Sequence, residues 1–127
     1  MRKFGFVILS FGMLMMGSCL ASADLTGSKW GLAERPGIYV EFLSDSRVSG
    51  YGGCNRFSGA YERSGNTISF GPLASTKRAC ADELMQSEFR FFQALGATTS
   101  FHIDSDTGAM IHKSANDAEL MRLIRSN

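Results

Sequence analysis

Apolar residues recur with a period of two along much of this chain. Ile38, Val40 and Phe42 alternate with Tyr39 and Glu41; Phe57, Gly59 and Tyr61 alternate with Ser58 and Ala60; and Ile68 and Phe70 flank Ser69. Such alternation marks strands with one buried face. Turn-forming residues separate the runs: Pro36-Gly37, Ser44-Asp45-Ser46, Ser64-Gly65-Asn66 and Gly71-Pro72. The pattern predicts a meander with strands over 28–32, 38–42, 47–53, 57–61 and 68–70, Trp30 anchoring the first in the core.

The period then changes. From Ala81 to Leu95 there is no glycine or proline. At about 100° per residue, Leu84, Met85, Phe89, Phe91, Phe92 and Leu95 fall within an arc of about 160°. This predicts a helix laid on the sheet and stopped by Gly96. Strands over 98–103, 109–113 and 118–124 follow, the first two joined through Asp104-Ser105-Asp106-Thr107-Gly108. The expected fold class is α+β, a bent antiparallel β-sheet (half-barrel) packed on one main α-helix. Glu88 projects into the middle of the apolar arc. A buried carboxylate needs partners, and Arg56, Arg78 or backbone N–H groups of the glycine-rich segment are the candidates. It reads as a tether between helix and sheet.

Residues 1–23 follow another pattern. Arg2 and Lys3 precede a stretch to Met16 that is apolar apart from Gly5, Ser10 and Gly12, and small residues run on to Ala23. This is the layout of a secretory signal peptide, with an apolar core short of the roughly 20 residues a membrane span needs. Ala21-Ser22-Ala23 before Asp24 offers a cleavage site for release. Met16-Gly17-Ser18-Cys19 resembles a lipobox, which would remove residues 1–18 and lipidate Cys19. Either route predicts an exported domain, 24–127, that is periplasmic or secreted, or attached to the outer membrane through a lipid on Cys19.

Export alters the charge balance. The full chain carries a net charge of +1; loss of Arg2 and Lys3 leaves eleven basic residues against twelve acidic ones, a net charge of −1. A near-neutral domain makes no electrostatic bid for nucleic acid. Both routes leave Cys54 and Cys80, 26 residues apart. An even pair in an exported chain invites a disulfide, with two buried free thiols as the alternative.

Other chemistry is sparse. His102 and His112 lie on predicted strands and read as solvated imidazoles on the outer face rather than as a metal pair. The Asp104-x-Asp106-x-Gly108 run has Ala115 where a calcium loop places its bidentate glutamate. Gly50-x-Gly52-Gly53 leads into a strand, whereas a phosphate loop leads into a helix. The expectation is a non-enzymatic protein with no cofactor, no metal and no catalytic residue. The alternative to a purely structural role is a binding module. A bent sheet with one helix can leave an apolar groove for a lipid or an envelope peptide, and Tyr39, Tyr61, Phe89, Phe91 and Phe92 are its candidate lining.

The run Gly50…Cys54-Asn55-Arg56-Phe57-Ser58-Gly59-Ala60-Tyr61 resembles the central motif of the META domain (HslJ-like) family. Further matches are Leu73-Ala74-Ser75-Thr76-Lys77-Arg78-Ala79-Cys80, then Glu88-Phe89 on the helix, and Trp30 near the start. The resemblance implies a bent sheet with a helix and an exported or lipoprotein setting. It also implies a link to stress, motility or virulence rather than to a defined reaction. It brings no catalytic residues. Gly50, Cys54, Asn55, Phe57, Gly59, Tyr61, Thr76 and Glu88 are therefore expected to be structural: glycines for bulges and positive φ, Asn55 to cap a turn, Thr76 to hold the start of the helix, and Cys54 to reach Cys80 across it.

Overall fold

The computed structural model describes residues 24–126, together with Gly12. The expected signal peptide and Cys19 lie outside the described residues. The elements are β1 (Lys29–Leu32), β2 (Tyr39–Leu43), β3 (Arg47–Tyr51), β4 (Arg56–Ser64), β5 (Thr67–Phe70), β6 (Ala74–Ser75), α1 (Asp82–Ala97), β7 (Ser100–Ile103), β8 (Met110–Lys113) and β9 (Glu119–Ser126). Each of these strands except β6 overlaps an expected one; alternation marked β2, β4 and β5, and the two residues of β6 are too few to carry a period.

All strand pairs are antiparallel, in the order β3-β2-β1-β9-β8-β7-β5-β4-β6. The sheet curls until β3 also pairs with β4, from Arg47↔Ala60 to Tyr51↔Arg56. Between β5 and β7 the ladder narrows to one pair, Thr67↔Ser100. The result is the expected α+β fold, a strongly bent antiparallel sheet packed on one main helix and weakest at the single β5–β7 pair.

The inward residues of the strands meet the helix in one core. Val40, Phe42, Val48, Ile68 and Leu123 are fully buried beside Leu95, with Phe91 nearly so. Phe42 and Tyr61 meet edge-on, ring centroids 5.1 Å apart, and Phe57 meets Phe92 at 5.4 Å in the same manner. Trp30 is buried as predicted, its indole N–H donating to Ser28 Oγ at 2.8 Å.

The helix buries a narrower stripe than its apolar arc. Glu88, Phe91 and Leu95 face the sheet, whereas Leu84, Met85 and Phe89 are exposed, Phe89 by 63 %. Met85 and Phe89 lie about 90–120° around the helix from the buried line, beyond the reach of a single sheet face. Gly96 does not stop the helix, which continues to Ala97. Thr98 ends it instead, its N–H donating to Leu95 O at 3.2 Å and its hydroxyl to Ala94 O at 2.6 Å.

His112 overturns the expectation of a solvated imidazole. The β7–β8 register sets Phe101 opposite His112 and His102 opposite Ile111, so the two histidines take opposite faces. His102 is exposed and His112 fully buried, stacked on Phe70 at 5.7 Å, with Nδ1 3.3 Å from Thr98 Oγ1. Burial pushes its imidazole down to about 3 from an ordinary 6.5. The unfolded chain therefore takes up a proton that the folded one refuses. Stability from this residue is full above pH 6.5 and declines as the pH falls towards 3, by about 1.4 kcal/mol per pH unit. Urea unfolding at a series of pH values is expected to show this slope, and His112→Leu to lack that share of it.

Candidate functional site

The signature residues converge where the β3–β4 turn meets the helix. Gly52-Gly53-Cys54-Asn55 forms the turn, closed by Gly52 N–H donating to Asn55 O at 2.9 Å. Gly53 has φ +114°, a conformation that L side chains rarely adopt. The turn therefore presents consecutive backbone N–H groups towards α1.

Glu88 receives them. Its Oε2 accepts the N–H of Cys54 at 2.9 Å and of Asn55 at 2.6 Å, and its Oε1 accepts from Asn55 Nδ2 at 2.8 Å. The partners are thus backbone N–H groups and an amide, not Arg56 or Arg78. A carboxylate with three donors in a buried site is a strong, directional link. It fits because Gly52 has no side chain: a Cβ there would lie 2.8 Å from both Cγ and Oε2 of Glu88. Gly50 and Gly59 also serve close approach rather than positive φ, admitting the Phe57 ring and Leu73 respectively.

Asn55 extends the link to the segment before the helix. Its Oδ1 accepts Arg78 N–H at 2.6 Å and the Thr76 hydroxyl at 2.9 Å. Asn55 thus bridges two segments rather than capping its own turn. Thr76 does not hold the start of α1; it ties to β4, where its Oγ1 accepts Arg56 N–H at 3.2 Å. The start of the helix has no side-chain cap and follows Cys80, which is bonded to Cys54 with a Cα–Cα distance of 6.0 Å. The free-thiol alternative is thereby set aside. Phe57 and Tyr61 are buried in the core, Phe57 against Phe91 and Phe92 of the helix and Tyr61 further along β4 against Phe42 and Phe70.

This arrangement is a clasp. Cys54 and Cys80 hold each other, so neither presents a thiolate, and His112 faces Thr98 and Met110 rather than either sulfur. Glu88 meets three donors at once.

A separate groove of about 600 Å³ runs between α1, the β1–β2 connection and β9. Ile38, Phe91 and Met121 supply buried apolar surface, and Arg35, Arg90 and Arg122 are among the polar residues that line it. Of the five expected lining residues only Phe91 is there. Tyr61 lies in the core, Tyr39 on the outer sheet face, Phe92 against Phe57, and Phe89 on the exposed side of the helix. Arg35 and Arg90 come from a loop and a helix far apart in sequence, and no pattern paired them. Arg122 pairs with Glu119 at 3.0 Å; the register shift opposite His112/Lys113 allows these residues, three apart on one strand, to meet.

Fold and clasp together define a class: an α+β fold whose shared motif residues bolt one turn to one helix. The META domain family matches residues 23–127, and the chain belongs to that family. No curated protein matches it. Its structure is similar to the NMR structure of a protein from Burkholderia xenovorans, with a TM-score of 0.62 and 23% identity, covering 81% of this chain and 84% of that one. A second protein solved by NMR has a TM-score of 0.59 at 19% identity, covering 78% of this chain and 89% of the other. At these identities the likeness establishes the fold alone.

Proposed function

We propose that the protein is a non-catalytic, exported domain of the bacterial cell envelope with a structural or stress-related role. The observation that carries this reading is the clasp: its polar motif residues and both cysteines bond to one another. A disulfide at its centre suits an oxidising compartment, and the signal-peptide pattern of residues 1–23 supplies the route there. Mass spectrometry of protein recovered from the envelope fraction is expected to find an N-terminus at Asp24 or a lipidated Cys19, with Cys54 and Cys80 unreactive to iodoacetamide. An unprocessed chain with two reactive thiols would overturn the reading.

The groove favours a second reading, an envelope module that binds a lipid or a peptide. Its apolar residues lie beside Arg35 and Arg90, which have no ion-pair partner among the described residues. A thermal-shift screen against lipids and envelope peptides tests it: a rise in Tm that Arg90→Ala diminishes supports binding there, and no rise with any class leaves the structural role.

A further inference from the structure

The outer face of the sheet carries a second concavity, independent of the groove. Tyr39 pairs with Tyr51 across β2–β3, and Tyr51 pairs with Arg56 across β3–β4. Their neighbours Val40, Gly50 and Phe57 face the core, so the two tyrosines and Arg56 line up outwards. The segment before α1 places Thr76 and Arg78 beside them, and together with Cys54 these residues line a cleft of about 500 Å³.

The chemistry of this cleft is one-sided. Among the described residues its lining has two guanidinium groups and no carboxylate. Neither Arg56 nor Arg78 has an ion-pair partner among the described residues, and neither tyrosine hydroxyl has a hydrogen-bond partner among them. A third cation adjoins, with Lys29 Nζ 3.9 Å from the Tyr39 ring centroid. Glu41, on the same face of β2, sits opposite Lys29 and Ser49 and outside the lining. This concentration of positive charge stands in a domain whose net charge is −1 after loss of residues 1–23.

The walls are also held in place. The backbone of Arg78 is pinned by Asn55 Oδ1, Thr76 bonds to Asn55 and to β4, and the Cys54–Cys80 disulfide closes the far end of the segment. A site set on a rigid frame loses less freedom on binding. Planar guanidinium forks match the oxygens of a phosphate group. Paired tyrosines offer apolar ring surface with hydroxyls at the rim, which suits a sugar ring.

We infer that the cleft formed by Tyr39, Tyr51, Arg56 and Arg78 is a binding site for a phosphate-bearing saccharide. The arginines take the oxyanion and the tyrosines take the sugar. Glucose 6-phosphate, glucose, inorganic phosphate and phosphatidylglycerol vesicles are the probes, read by amide chemical shifts of the oxidised protein. Glucose 6-phosphate is expected to shift Tyr39, Tyr51, Arg56 and Arg78, and to bind at least about tenfold more tightly than glucose. Inorganic phosphate is expected at the arginines, more weakly. Arg56→Gln and Arg78→Gln each remove about tenfold in affinity while Tm stays unchanged, because both side chains are exposed. The proposal is overturned if glucose 6-phosphate gives no shifts at these residues, if the double variant binds as well as the parent, or if only vesicles bind. Equal affinity for inorganic phosphate and glucose 6-phosphate would remove the saccharide from the assignment.

Discussion

Replacing Glu88 with alanine is expected to lower the unfolding free energy by about 3–5 kcal/mol, at about 1–3 kcal/mol for each buried donor left unpaired, read from urea denaturation of the oxidised protein. The effect is large because the change strands three donors at once: the N–H groups of Cys54 and Asn55 and the Asn55 amide. The site cannot collapse to bury them elsewhere, since the positive φ at Gly53 and the disulfide fix the turn. Glutamine gives a sharper version of the test. Its carbonyl can keep the two backbone donors, but its NH₂ then faces Asn55 Nδ2, donor against donor. A loss of about 1–3 kcal/mol is expected for Glu88→Gln. An unchanged denaturation midpoint in that variant would show that the carboxylate does not hold the turn.

Opening the disulfide is expected to have a comparable effect. Cross-linking residues 26 apart removes conformational freedom from the unfolded chain worth about 3.5 kcal/mol in the chain-entropy treatment. The double replacement Cys54→Ser with Cys80→Ser should lower stability by about that amount, and dithiothreitol should do the same to the parent. Because the disulfide and Glu88 secure the same turn, their effects are not expected to add. Full additivity in the combined variant would mean that the two devices act independently.

The fold was legible wherever one face of an element is buried and the other wet. β2, β4 and β5 announced themselves by alternation, α1 by its period, and Trp30 by its size. The errors share a physical origin in facts that period cannot carry. His112 lies on a strand as expected, but which face is buried was set by the β7–β8 register. Gly96 lacks a positive φ, and the helix passes through it until Thr98 turns its own N–H back. Phe89 belongs to an apolar arc wider than the sheet covers. Glu88 was legible as a buried oddity in an apolar face, and backbone N–H groups stood among its expected partners; the choice of those over Arg56 and Arg78 depends on how the turn presents them. The groove and the tyrosine–arginine cleft each draw on segments remote in sequence, so no local pattern announced them.

Hydrogen exchange at two amides tests the clasp most directly. Cys54 and Asn55 lie in a turn outside any strand ladder, where N–H groups commonly exchange through small local openings. If the Glu88 carboxylate holds them as described, both are expected to exchange among the slowest in the protein, at rates set by global unfolding, and to lose that protection in Glu88→Ala. Rapid exchange of both amides in the oxidised parent, at rates typical of exposed turns, would contradict the claim that this motif is a structural clasp.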